Sequence, residues 1–276
     1  MESFDYTSRV DQLSIRAYQW PLDSASGVVV ISHGMAEHAQ RYDRLARELN
    51  AAGFEVFAMD HRAHGKTLGP SGFGDFGEGG WDALVDDLDQ FVDICRVRNP
   101  NKPIFLLGHS MGAAAAQQLA PIGSGKIAGL ILSGSTLRVP GEEMPEYNDA
   151  FEPVRTAYDW LSRDHAEVDK YLNDPLCGFE GQAIRNGMDR TDPRRVDLAR
   201  LKNIRSDLPV LLIAGDADPV NQNLKGIDYL EACWKKAGLK RIDRQIYIDG
   251  RHEMFNETNR DEVVSNMVGW LYALVK

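Results

Sequence analysis

The stretch IFLLGHSMGAAAAQQ, residues 104–118, decides how this chain is read. An aliphatic run ends in Gly108, Ser110 follows two residues later, Gly112 comes two after that, and an alanine-rich segment continues from there. This is the pattern of a strand that turns sharply into a helix. The residues two before and two after the apex must be small, because the backbone there is strained and would otherwise clash. Gly108 and Gly112 meet that need. Ser110 is then held above the carboxyl edge of a sheet, at a helix N-terminus whose free N–H groups stabilise developing negative charge. The pattern predicts a nucleophile, against the plainer alternative of a serine that only caps the helix.

Working outward, the same rhythm recurs: a short run rich in Val, Ile and Leu, a Gly or polar turn, then a longer segment with apolar residues at helical spacing. Strands are expected in GVVVISHG (27–34), FEVFAMDHR (54–62), PIFLLGHS (103–110), IAGLILSGS (127–135), PVLLIAGDAD (209–218) and RQIYIDG (244–250). Several are almost continuously apolar, as in a parallel sheet covered on both faces. FDYTS and LSIRAYQW alternate in polarity and read as antiparallel edge strands. Between strands, WDALVDDLDQFVDICRVR places Trp81, Leu84, Val85, Leu88, Phe91, Val92 and Cys95 on one helical stripe. A second helix near the end should face the sheet with Val263, Val264, Met267 and Leu271. The rhythm breaks over residues 137–207, which divides the chain into a core of 1–136 and 208–276 and an inserted helical cap. Within the cap, EYNDAFEPVRTAYDWL carries Tyr147, Phe151, Val154, Tyr158 and Leu161 at spacings that predict an amphipathic helix. Phe151 and Tyr158 are candidate pocket residues on its aromatic face; packing on the core is the plainer reading.

A serine needs a base to take its proton and a carboxylate to orient that base. Of seven histidines only His165 and His252 follow Ser110, and His165 lies in the insertion. His252, just past the last expected strand, is the candidate base. Asp216 and Asp218 both sit at the end of the preceding strand. Asp218 is better separated from the strand end to turn towards His252, which leaves Asp216 as a turn-stabilising side chain. Two backbone N–H groups should hold a developing oxyanion, that of Met111 directly after the nucleophile and that of Met35 in the loop after the VVVIS strand. His33 reads as a brace for that loop.

Composition narrows the function. The chain has 276 residues, 43% hydrophobic and 26% charged, with 31 Lys plus Arg against 41 Asp plus Glu, a formal net charge of −10. An acidic balance of this size argues against nucleic acid and against electrostatic docking on anionic lipid, so membrane contact should be transient at most. It favours neutral or zwitterionic substrates. The N-terminal residues lack the basic and apolar regions of a signal peptide, and no stretch has the apolar length of a spanning helix, so a cytoplasmic protein is expected. Three cysteines, Cys95, Cys177 and Cys233, give neither a disulfide framework nor a zinc pattern. No metal and no cofactor is expected.

Five segments, SHGMAEHAQRY, DHRAHGKT, GHSMGAAAA, AGDADPV and GRHEMFNE, together resemble the monoacylglycerol lipase and lysophospholipase branch of the α/β-hydrolase superfamily, over about residues 10–275. The resemblance implies a mostly parallel eight-stranded sheet flanked by helices, with the cap inserted after the sixth strand. It implies Ser110, Asp218 and His252 as a catalytic triad, and Met35 and Met111 as backbone oxyanion donors. Glu37, His38, Arg41, Asp60, Arg62 and His64 match positions that brace loops in the relatives. Ala63 departs from the family's usual Gly, and Lys66-Thr67 from its usual small residue and Ser. The expected activity is hydrolysis of a monoacylglycerol or lysophospholipid ester through an acyl-enzyme. A small-ester carboxylesterase is the near alternative; a peptidase, whose need to recognise a peptide amine or carboxylate in the cap Glu142, Glu143 and Glu146 leave open, and a non-catalytic relative are more distant ones. An aspartate at position 110 would have been needed for dehalogenase or epoxide hydrolase chemistry.

Overall fold

In the computed structural model, which describes residues 1–179 and 187–275, the apolar runs form one eight-stranded sheet. Its strands are β1 (Glu2–Thr7), β2 (Ser14–Trp20), β3 (Gly27–Ser32), β4 (Phe54–Met59), β5 (Ile104–His109), β6 (Gly129–Ser133), β7 (Val210–Gly215) and β8 (Ile242–Tyr247). Their spatial order is β1-β2-β4-β3-β5-β6-β7-β8. β1 and β2 are antiparallel to their neighbours, and every pairing from β4 to β8 is parallel. All residues of β3 through β7 are buried, which is why those runs carry no polar alternation. β1 alternates between exposed and half-buried residues, as its edge position requires.

The helices are α1 (Asp43–Ala51), α2 (Gly80–Arg98), α3 (Met111–Gly123), α4 (His165–Asn173), α5 (Leu198–Leu201), α6 (Lys225–Ala237) and α7 (Arg260–Tyr272). α2, α3 and α6 bury their apolar sides against one face of the sheet, α1 and α7 against the other. In α2 all seven residues of the expected stripe are buried. Each large side chain of that stripe contributes about 1.5–3 kcal/mol on leaving water, so packing rather than propensity holds the helix in place. Cys95, Cys177 and Cys233 are free thiols. Among the described residues no helix is long and apolar enough to cross a membrane.

Between β6 and β7 the chain leaves the sheet, with α4, α5 and short single turns as its described helical elements. The amphipathic helix expected from Glu146 to Leu161 does not form; its one helical piece is a single turn at Asp159–Leu161. The apolar spacing is real, but Pro153 falls inside it, removing a donor and disfavouring helical backbone at Glu152. Side chains then take over the backbone groups. Asp159 accepts the N–H groups of Arg155 and Thr156, and Asn148 both donates to Thr156 O and accepts Trp160 N–H. Local polar competition of this kind outweighs a hydrophobic period.

Candidate active site

Ser110 sits at the apex between β5 and α3 with φ 51° and ψ −113°. For a non-glycine residue this backbone costs about 1–3 kcal/mol and needs support from its surroundings. The support is visible. Ser110 N–H donates to Ser133 O of β6 at 3.0 Å, and Ala114 N–H returns to Ser110 O at 3.0 Å. A Cβ on Gly108 would lie 2.6 Å from Ala113 Cα, and one on Gly112 would lie 2.0 Å from Ser32 O. Both glycines are therefore required by close backbone approach.

Asp218 follows β7 and is fully buried. One carboxylate oxygen, Oδ1, accepts Val220 N–H at 2.9 Å and fixes the turn Pro219–Asn221; the other, Oδ2, is 2.9 Å from His252 Nδ1. The loops after β7 and β8 can meet because Gly215 packs on Gly250, where a Cβ would come within 1.8 Å of a carbonyl oxygen. Asp216 helps differently from its expected role: its side chain accepts Asp249 N–H at 2.7 Å, tying the β7 loop to the β8 loop rather than stabilising its own turn. His252 is anchored from the other side by its N–H to Trp160 O at 3.3 Å, beside Glu253 N–H to Leu161 O at 2.8 Å. The indole of Trp160 lies 5.0 Å from the His252 ring and the imidazole of His109 lies 4.8 Å away. Burial pulls the His252 pKa down, but the Asp218 carboxylate beside it, with Glu253 and Glu37 further off, outweighs burial and leaves it raised above 6.5.

Ser110 and His252 share a cavity of about 170 Å³ whose wall also includes Gly34, Met35, Tyr158, Trp160 and Tyr171. With Nδ1 of His252 taken by Asp218, Nε2 is the ring nitrogen left for a reacting group. Met111 is the first residue of α3, so its N–H has no intrahelical acceptor. In the facing loop Gly34 N–H is held by Glu37, whereas Met35 N–H has no acceptor among the described residues. Of the two candidate pocket residues of the cap, Tyr158 lines this cavity with its hydroxyl 3.3 Å from Gly178 O. Phe151 is not in the wall; its ring lies under the Arg251 guanidinium at 4.0 Å.

Around this centre lies a buried charge network that the sequence only hinted at. Arg41 bridges Glu37 and Glu253, with both Nη atoms on the Glu253 carboxylate at 2.7 and 2.8 Å. Burial alone would raise both carboxyl groups; Arg41 between them holds both below the usual carboxylate range. The Glu37–Arg41 spacing of four is visible in the sequence, but Glu253 is distant in the chain and left no local signal. His33 accepts His61 N–H on Nε2 at 2.9 Å, so its proton sits on Nδ1, donated to Gly34 O at 2.8 Å. It is a neutral brace of the Met35 loop, and burial with nearby His64 pushes its pKa well down. Among the described residues one trio of metal-ligand type converges, His38, Asp174 and Cys177, with ligand atoms within 4.8 Å of one another. His38 and Asp174 already pair at 2.9 Å, and burial drives the Cys177 thiol up, away from the thiolate a metal would need.

A profile of the family described as "Serine aminopeptidase, S33" matches residues 23–259. The chain belongs to this family. It is 33% identical to the monoglyceride lipase of Homo sapiens over 216 residues, covering 73% of this chain and 68% of that protein. It is 27% identical to the monoacylglycerol lipase of Mycolicibacterium smegmatis over 274 residues, covering 89% of this chain and 88% of that protein. Among solved structures, a thermostable carboxyl esterase from Bacillus coagulans in complex with glycerol superposes with a TM-score of 0.87 at 26% identity, covering 100% of this chain and 99% of that chain. The α/β-hydrolase fold expected from the five segments is the one observed.

Proposed function

We propose that the protein is a serine hydrolase of lipid-like carboxylic esters, acting on a monoacylglycerol or a similar single-chain ester. The observation that carries this reading is a strained Ser110 in one cavity with His252, whose Nδ1 is held by a buried Asp218 at 2.9 Å. Ser110 Oγ attacks the ester carbonyl while His252 Nε2 takes its proton. The N–H groups of Met35 and Met111 hold the tetrahedral oxyanion. His252 then protonates the leaving alcohol, an acyl-enzyme remains on Ser110, and a water activated by the same imidazole releases the acid. Asp218 fixes the ring tautomer and stabilises the imidazolium. No metal or cofactor is assigned a part in these steps.

The monoglyceride lipase relatives support a glycerol ester as the substrate class. Residues 137–207 act as the cap over the acyl chain, Tyr158 forming part of its inner wall. The protein works in the cytoplasm and meets lipid surfaces only transiently. A cavity of about 170 Å³ is smaller than the several hundred Å³ typical of sites that enclose a drug-sized ligand, which favours short-chain esters as a second reading unless the cap moves. Initial rates on p-nitrophenyl esters from acetyl to palmitoyl, on monoacylglycerols and on aminoacyl p-nitroanilides, with Ser110→Ala as control, test the proposal. Medium-chain or long-chain esters and monoacylglycerols should be hydrolysed in a Ser110-dependent manner. A preference confined to acetyl esters supports the second reading, and serine-dependent cleavage of the anilides alone contradicts both.

A further inference from the structure

A second lobe of about 40 Å³ shares Ser110, Arg190 and Val220 with the first cavity, and its wall carries Arg138, Arg190 and Arg195. The same three arginines line a surface groove of about 560 Å³ next to it. Arg195 is only 7% exposed. Its Nη2 donates to Gln117 Oε1 at 2.9 Å and to Thr136 O at 2.8 Å, both neutral acceptors. Its Nε is buried with no hydrogen-bond partner, and no carboxylate pairs with Arg195 among the described residues. Burying a guanidinium is costly, and proteins ordinarily offset the cost with a carboxylate.

Of the acids around it, Asp192 and Asp189 act on Arg195 only at a distance, and Glu143 lines the groove rather than the lobe. Asp192 is paired with Arg194 at 2.7 Å, and Glu142 with Lys225 at 2.9 Å. Arg190 donates to the Tyr147 hydroxyl at 2.6 Å and, like Arg138, makes no ion pair among the described residues. Burial lowers the Arg195 pKa to about 10, which still leaves it protonated at neutral pH. A buried cation with no carboxylate in contact thus shares with the nucleophile a lobe whose wall holds three arginines and no acid, in a chain whose formal charge is −10.

We infer that this lobe is an anion subsite, in which Arg195, assisted by Arg190 and Arg138, binds a carboxylate or phosphate group carried by the substrate some bonds away from the scissile carbonyl. The inference rests on the ester-hydrolase reading of Ser110 and adds to it a preference for esters bearing an anionic group over their neutral counterparts. A guanidinium suits either oxyanion, since its planar fork offers paired donors to both.

Matched substrates test it and separate the two anions. The mono-p-nitrophenyl ester of glutarate is compared with p-nitrophenyl pentanoate for a carboxylate on the acyl side, and butyrylglycerol phosphate with butyrylglycerol for a phosphate on the alcohol side. In at least one pair the anionic member should have the higher kcat/KM, and Arg195→Gln should reduce the anionic-to-neutral ratio by about ten- to a hundredfold, the worth of a lost charged hydrogen bond. Arg195→Lys should retain part of the preference. Binding is read separately by the thermal shift of Ser110→Ala with glutarate or glycerol phosphate against chloride at equal ionic strength, which needs no turnover and covers the case in which Arg195→Gln fails to fold. A ratio unchanged in Arg195→Gln, or no anion preference together with no thermal shift, overturns the subsite. Loss of all Ser110-dependent turnover with the thermal shift intact would instead overturn the hydrolase reading and leave the subsite standing.

Discussion

Replacing Gly112 by alanine should disable the site without touching any reacting group. A Cβ at this position would lie 2.0 Å from Ser32 O, 2.4 Å from Ser32 C and 2.5 Å from His33 O. All three are backbone atoms at the end of β3, so no side chain can swing aside. The closest approach is about 1.4 Å short of the 3.4 Å at which ordinary contact begins, so the start of α3 must retreat from β3 by a comparable distance. Ser110 and Met111 N–H move with α3, whereas Met35 stays with the β3 loop, and the two proposed oxyanion donors separate. A displacement of about 1 Å in a reacting constellation costs on the order of a hundredfold in rate, and overpacking of this kind costs about 1–3 kcal/mol of stability. Steady-state kinetics on a p-nitrophenyl ester, paired with urea denaturation, reads both quantities. The control is Gly125→Ala, where a Cβ meets nothing within 4 Å and stability should stay within about 0.5 kcal/mol of the parent. Gly112→Ala with wild-type kcat and wild-type stability would refute the reasoning, because it would mean that β3 and α3 do not approach as described.

Other outcomes follow from the same geometry. Asp218→Asn should lower kcat by roughly 10³–10⁴-fold with little change in fold, because the amide no longer fixes the Nδ1–H tautomer of His252; circular dichroism and kinetics together check this. Because the His252 pKa is raised above 6.5, the acid limb of kcat/KM should have its midpoint above pH 6.5, activity falling as the ring is protonated; in Asp218→Asn the midpoint of the residual activity should move down. His64 and His109 are buried with pKa values lowered to about 4, so the unfolded chain takes up their protons first as pH falls below 6.5. Each should remove about 3 kcal/mol of stability between pH 6.5 and pH 4, measurable as a steep decline in urea midpoint over that window that is shallower in His109→Gln.

The legible parts of the chain were those where one local pattern governs the structure. The strands from β3 to β7 are buried on both faces, so their continuous apolar runs marked them directly, and the Gly-x-Ser-x-Gly turn marked Ser110 because strain and close approach demand those residue types there. From Glu146 to Leu161 hydrophobic spacing alone does not set the structure, because Pro153 and the competition of Asp159 and Asn148 for backbone donors override it. Phe151, one of two candidates for the pocket wall, lies instead under Arg251. Trp160 over His252, Glu253 on Arg41 and the unpaired Arg195 were out of reach for a different reason. Each is defined by a partner far away in the chain, and neither periodicity nor motif spacing encodes such a meeting.

The central claim, that Ser110 is a nucleophile activated by His252, is tested most directly by reaction with an alkyl fluorophosphonate followed by peptide mass spectrometry. One phosphonyl adduct, located on Ser110, absent in Ser110→Ala and formed much more slowly in His252→Gln, is the predicted result. Labelling at another residue, or no labelling of a folded protein that retains its thermal transition, would contradict it.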